Sequence, residues 1–259
     1  MGIINVTPDS FYAGSRFMEL EDILRQAEVM LSDGAQILDV GGMSSRPGAT
    51  IITAQEEVQR IAPVIEALVK HFPNAIVSVD TIYGHTARVS KDLGAGIIND
   101  VSAGKLDPTM YPTVAELGLP YILMHMQGQP GTMQANPEYT DVLTEVLDFF
   151  IAEVGKLRAL GVKDIVLDPG FGFGKTIAHN YHLLKNLHVF QILDVPVLAG
   201  LSRKSMIYKL LQTTPEEALN GTSVLHLIAL QQGAKLLRVH DVKPAMEVVK
   251  LWENLEHEL

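Results

Sequence analysis

Residues 164–176 read "DIVLDPGFGFGKT". An apolar run ends in Asp168, and a proline and alternating glycines lead to Lys175 and Thr176. The Gly-Lys-Thr tail is that of a phosphate-cradling P-loop, which needs Gly-x-x-x-x-Gly-Lys-Ser/Thr between a strand and a helix. Counting back from Gly174 puts Pro169 where the first glycine must stand, so that motif fails at its first turn. What remains is a strand, an aspartate at its end and a glycine-bent loop.

The same plan recurs from end to end. Short apolar runs are "GIINVT" (2–7), "QILDVGG" (36–42), "AIVSVD" (75–80), "GIIND" (96–100), "YILMHM" (121–126), "DIVLDPG" (164–170), "PVLAGLS" (196–202) and "LLRVHDV" (236–242). They are nearly continuous in Ile, Val and Leu, as buried parallel strands are. Amphipathic stretches separate them, among them 21–35, 56–72, 141–161, 221–233 and 245–255. The first of these has Ile23, Leu24, Ala27, Met30 and Leu31 at helical spacing and ends at a glycine. Eight strands in strict alternation with helices predict an α/β fold, a (β/α)8 TIM barrel, which uses about 250 residues. The reading takes 1–259 as one domain, since no linker or low-complexity stretch breaks the series. A doubly wound open sheet is the competing architecture. Strand number and the placement of polar residues favour the barrel.

Composition narrows the function. The chain has 259 residues, 47% of them hydrophobic, enough for a large core. Its formal net charge of −10 argues against non-specific nucleic-acid binding. With no cysteine, disulfides and thiolate metal sites are excluded, and a reducing cytoplasm suits the chain. No apolar run approaches the roughly 20 residues of a membrane span, and the N-terminus does not read as a signal peptide.

A parallel barrel opens all its strand C-termini onto one face, where active sites sit. Polar groups collect there from every strand: Asn5, Thr7 and Asp9; Asp39, Ser45 and Arg46; Asp80; Asn99 and Asp100; Met124, His125 and Gln127; Asp168; Ser202, Arg203 and Lys204; Arg238, His240 and Asp241. Asp100 and Asp241 read equally well as turn or cap residues. Asp39, Asp80 and Asp168 each follow a continuous apolar strand and point into a partly buried mouth, where a carboxylate needs a partner. His125, between two methionines, reads as a structural histidine, and no spacing suits a tightly held zinc or di-iron site. Arg46, Arg203, Lys204 and Arg238 bring cations to one mouth of an acidic chain, and "SRKS" (202–205) opens a helix. That suits a phosphate or diphosphate. The carboxylates and Asn99 suit a flat ring with several N–H donors, such as a 2-amino-4-oxo heterocycle.

At this point the motifs resemble those of the dihydropteroate synthase family. The matching stretches are "GIINVTPDSF" (2–11), "DVGGMSSRPGA" (39–49), "SVDT" (78–81), "GIINDVSAG" (96–104), "MHMQGQPGTMQ" (124–134), "DPGFGFGKT" (168–176), "GLSRKSMI" (200–207) and "RVHDV" (238–242), in the family's order. The resemblance implies a transferase of folate biosynthesis, and a sulfonamide target. It would join 4-aminobenzoate to 7,8-dihydropterin-6-ylmethyl diphosphate and release diphosphate. It assigns the pterin to Asp80, Asn99, Met124, Asp168, Phe173, Gly200 and Lys204. It assigns the diphosphate to Asn5, Ser45, Arg238 and His240, with Asn5 also on a Mg²⁺ cofactor. The aminobenzoate falls to Phe11, Ser45, Arg46, Pro47, Phe173, Ser202 and Lys204. Asn5, Arg46, Lys204, Arg238 and His240 are the expected catalytic set. A cytoplasmic homodimer through the C-terminal helices is implied, with small-molecule substrates and neither nucleic acid nor membrane as partner.

The pattern departs from the family at three places. The chain reaches its first strand without the lead-in segment that family members often carry over the barrel floor. "YAGSRF" follows "NVTPDSF", and Met43 and Ser45 stand where many members have Glu and Thr. A pterin-binding methyltransferase barrel would share the aspartates without needing "SSRPGA" and "SRKS". A non-catalytic pterin-binding paralogue would be free to lose Asn5, Arg46, Arg238 or His240, all of which are present.

Overall fold

The computed structural model describes residues 1–6, 16–43, 51–128, 133 and 137–257. The strands are β1 (Gly2–Asn5), β2 (Ile37–Gly41), β3 (Ile76–Asp80), β4 (Ile97–Asp100), β5 (Tyr121–Met124), β6 (Ile165–Asp168), β7 (Leu198–Ala199) and β8 (Leu236–Leu237). Between and after them run α1 (Arg16–Ser32), α2 (Ala54–His71), α3 (Gly84–Asp92), α4 (Met110–Leu117), α5 (Val142–Ala159), α6 (Ile177–Lys185), a 3₁₀ turn (Leu187–Leu193), α7 (Ser205–Tyr208), α8 (Leu219–Gln231) and α9 (Val242–His257).

Local chemistry sets the helix starts. Thr53 and Glu56 form a reciprocal capping box on α2: Glu56 N–H donates to Thr53 Oγ1 at 3.2 Å and Thr53 N–H to Glu56 Oε2 at 2.8 Å. Asp141 accepts the Thr144 N–H on α5. Thr176, the threonine of the Gly-Lys-Thr tail, caps α6 by accepting the His179 N–H. α4 ends at Gly118 in the left-handed conformation, φ +63.

β1 to β6 pair in sequence order, all parallel, and β7 pairs with β8. Isolated bridges close the ring, Leu167 to Val197 and Gly2 to Val239. Their backbone bonds are Leu167 N to Pro196 O at 2.9 Å, Ile3 N to Val239 O at 3.0 Å and Val239 N to Met1 O at 2.9 Å. The fold is the closed barrel, and the open sheet is set aside. β7 and β8 are shorter than their apolar runs suggest, and past them Ser202 and His240 bond each other.

The strand period of two sorts side chains to two faces. Outward residues such as Leu38, Val79, Ile98, Leu123, Leu167 and Leu237 join the main core beneath the helices. Phe150 and Phe190, both fully buried, meet edge to face there at 5.4 Å. Inside the ring, Ile37, Ile97, Ile122, Val166, Leu198 and Leu236 gather with Met1 at the floor end. Two residues further along those same six strands stand Asp39, Asn99, Met124, Asp168, Gly200 and Arg238. One apolar layer thus floors one functional layer, and the alternation alone stacks them. No helix among the described residues is long and apolar enough to cross a membrane.

Candidate active site

Asp39, fully buried, organises one side of the functional layer. Its Oδ2 accepts Arg238 Nε–H at 2.6 Å and Asn99 Nδ2–H at 3.1 Å. Arg238 Nη2 donates to Asp80 Oδ2 at 2.8 Å. Two carboxylates therefore share one guanidinium, whose side chain is 20% exposed. Burial pushes the Asp80 carboxyl up to about 7 against the pull of Arg238, and the negative charge of Asp39 adds to the rise. Burial opposes the charge on Arg238, but Asp39 and Asp80 outweigh it and hold the guanidinium protonated. Among the described residues Arg238 Nη1 bonds nothing, which leaves donors of a planar fork for an anion. Asp39 Oδ1 and the Oγ of Ser78, its register partner on β3, are buried without hydrogen bonds.

The opposite side is built by the β6 loop. Asp168 Oδ1 accepts Gly170 N–H at 2.8 Å, and burial raises this carboxyl against the nearby Lys204. Lys204 Nζ donates to Phe171 O and lies 4.7 Å from the centroid of the Phe173 ring, a cation–π contact. Burial lowers the Lys204 ammonium to about 8, with Asp168 opposing. A side chain on Gly200 would meet Lys204 Nζ at 3.7 Å and Asp168 Oδ2 at 3.8 Å, so glycine keeps the slot between them open. Gly170 and Gly174 are fixed by a stronger demand. At φ +68 and +61, an added Cβ would come within 2.0 Å of His125 O and 2.3 Å of Gln127 O.

At the rim, the Ser202 hydroxyl accepts His240 N–H at 3.2 Å and lies 3.0 Å from His240 Nδ1. A hydroxyl that donates to Nδ1 leaves Nε2 as the imidazole's N–H donor. Burial and the Arg238 charge lower the His240 pKa, so the ring is neutral near pH 7. Asn5 ends β1 exposed at the mouth, and its register partner is Gly41.

Arg203 departs from expectation. Its Nε and Nη2 pair with Asp241 at 2.7 and 2.9 Å, and Nη1 donates to Pro215 O and Glu216 O. It is a brace between β7 and β8 loops, not an anion ligand. Asp241 is thereby a structural partner, and Asp100 is a turn residue, accepting from Ser102, Gly104 and the Tyr121 hydroxyl. The helix opened by "SRKS" is one turn long. Phe11, Ser45, Arg46 and Pro47, with Thr7 and Asp9, lie outside the described residues. Asp39 as partner of Arg238 has no local sequence signal, since the two are 199 positions apart.

The described residues offer no group of three or more His, Asp or Glu able to hold a metal ion. Asn5 presents one neutral amide oxygen at the mouth. Such a donor set fits Mg²⁺ held chiefly by phosphate oxygens and water, with Asn5 as an auxiliary ligand.

A barrel with carboxylates and cations stacked above an apolar floor belongs, by its sequence, to a known class. Residues 1–240 match the family model of the pterin binding enzymes. The chain is 46% identical to the dihydropteroate synthase of Escherichia coli (strain K12), over 98% of this chain and 90% of that protein. It is 44% identical to that of Haemophilus influenzae, over 98% and 92%. Among solved structures, Yersinia pestis dihydropteroate synthase with a sulfonamide drug complex superimposes with a TM-score of 0.93 at 43% identity, covering 99% of this chain and 94% of that one. Xanthomonas albilineans dihydropteroate synthase in complex with 7,8-dihydropteroate gives 0.86 at 37% identity, covering 99% and 92%. The chain belongs to the dihydropteroate synthase family.

Proposed function

We propose that the barrel mouth condenses 4-aminobenzoate with 7,8-dihydropterin-6-ylmethyl diphosphate, giving 7,8-dihydropteroate and diphosphate. The observation that carries this reading is the functional layer itself. Asp39, Asn99, Asp168 and Arg238 come from four strands to one depth, with Gly200 leaving a slot beside Asp168 and Lys204. In this reading Asp80, Asn99 and Asp168 take the pterin's N–H edge. Lys204 contacts the same ring, and Met124, Phe173 and Gly200 line it.

The bond that breaks joins the exocyclic methylene carbon to a diphosphate oxygen, which leaves with the electron pair. The electron-rich pterin stabilises the cationic carbon. Arg238 offers free guanidinium donors and His240 a neutral Nε2–H to the departing charge. Asn5 and Ser45 complete that subsite. Mg²⁺, held by Asn5, diphosphate and water, would supply charge neutralisation for the leaving group. Phe11, Ser45, Arg46, Pro47, Phe173, Ser202 and Lys204 hold 4-aminobenzoate. Its amine forms the new carbon–nitrogen bond and sheds a proton. An aryl amine so weakly basic needs no strong general base. A sulfonamide, which mimics 4-aminobenzoate, competes at this subsite.

The reading extends to a single-domain, cytoplasmic homodimer. Val224, Leu251 and Leu255, 52–68% exposed on α8 and α9, support a self-association face there. The test is diphosphate release with Mg²⁺ and both substrates. Release that needs both, with dihydropteroate formed, supports the synthase. Pterin binding without product returns the methyltransferase or paralogue readings.

A further inference from the structure

The Gly-Lys-Thr lysine does something other than bind phosphate. Lys175 is 3% exposed. Its Nζ donates to Gly170 O at 3.1 Å, Phe173 O at 3.0 Å and His125 O at 3.3 Å, and lies 3.0 Å from His125 Nδ1. Among the described residues no carboxylate bonds it. Three carbonyl oxygens and an imidazole nitrogen surround one amino group, whose pKa burial lowers to about 7 against the pull of Asp168. Burial and the Lys175 charge lower the His125 pKa to about 2, so the ring is neutral, and Nδ1 accepts from Lys175 in the tautomer that carries its proton on Nε2. The His125 ring is pinned in turn, edge to face on Phe149 at 4.9 Å.

We propose that Lys175 is a positioning residue for the condensation: its Nζ ties the β6 loop to the end of β5 and so sets the Phe173 ring and the Phe171 carbonyl that hold Lys204. This rests on the synthase reading. The loop around it is glycine-bent at 170, 172 and 174, each with positive φ, so the backbone has little stiffness of its own. Around the Lys175 contacts, Phe173 N–H donates to Gly170 O, Gly170 N–H to Asp168 Oδ1 and Gly172 N–H to Asn180 Oδ1, and Gly174 O accepts the Tyr139 hydroxyl. Without Lys175, the inward carbonyls lose their shared donor in a site shut from water. The loop then relaxes where Phe173 and Lys204 meet both substrates.

A double-mutant cycle separates positioning from mere stability. Dihydropteroate formation by the unaltered protein is measured first, so a failure of the synthase reading shows there, before any variant is compared. Lys175→Met is then made alone and in a Phe173→Leu background. We expect KM for 4-aminobenzoate to rise about tenfold in the first, as small displacements of positioning groups do. In the second the further change should stay under about twofold, since the route through Phe173 is already cut. Lys175→Gln, which keeps two N–H donors, should give a smaller rise in the same direction, and stands in if the methionine variant does not fold. Equal factors in both backgrounds, or no change in KM, overturn the proposal. So does failure of both variants to fold, which would make Lys175 a residue of the fold and not of the loop.

Discussion

Asp39→Asn tests the electrostatics of the mouth with little change of shape. The asparagine Oδ1 can take the place of the oxygen that accepts from Arg238 and Asn99. Its Nδ2 then falls where Oδ1 now has no partner, on the strand face it shares with Ser78, whose Oγ also has none. Bonds are kept and one charge is lost. Hydrogen bonds with ionised partners are about twice as strong as neutral ones, and Asp80 still pairs with Arg238, so the loss is about 2 kcal/mol. For a chain of this size that lowers Tm by about 4–8 °C. A second effect has a definite sign. The charge of Asp39 helps raise the Asp80 carboxyl to about 7, so its removal lets that pKa fall. On the proposed reading pterin binding needs the Asp80 carboxylate, and it should then persist to lower pH in the variant. Calorimetric titration of a diphosphate-free pterin from pH 5.5 to 8, with thermal melts, reads both. An unchanged melt together with an unshifted acid limb would refute the coupling of Asp39, Arg238 and Asp80.

Other consequences are as direct. In the unaltered protein, pterin affinity should fall up to about tenfold per pH unit below about 7, as Asp80 takes up a proton; a flat calorimetric profile removes Asp80 from the pterin edge. Gly170→Ala drives a methyl group to 2.0 Å from His125 O at a left-handed φ, and should cut turnover by about a hundredfold; normal steady-state kinetics would show that the backbones are not so close. Phe150→Ala opens a cavity against Phe190 in the core beneath the helices and should cost about 3–5 kcal/mol in urea unfolding while leaving KM unchanged; a raised KM would tie that core to the site.

The fold was legible because buried parallel strands write themselves as apolar runs, and all eight runs became strands. The ends were less so. The runs at 196–202 and 236–242 continue past two-residue ladders, and beyond them the His240 N–H goes to the Ser202 hydroxyl rather than to a strand carbonyl. At the mouth, the polar residues were readable from position, since period two carries Ile37 to Asp39 and Leu236 to Arg238. Their pairing was not. The salt bridge of Arg203 with Asp241 crosses 38 positions, and nothing in "SRKS" distinguishes a brace from an anion ligand. Lys175 was hidden for the opposite reason: a familiar tail suggested phosphate, while the glycines before it curl the carbonyls inward.

The small cluster at the mouth contains Met124, Met126 and Met133, with Met43 and Phe173 packed against it. In a chain without cysteine, these thioethers are the soft sulfur nearest the site. Oxidation of one to the sulfoxide would plant a strong dipole in the wall that the proposed function turns toward the pterin. Peroxide damage here would be repaired by methionine sulfoxide reductase and would be indifferent to dithiothreitol. The half-buried Met43 is the first to be reached, and the three buried methionines behind it follow only as the wall opens.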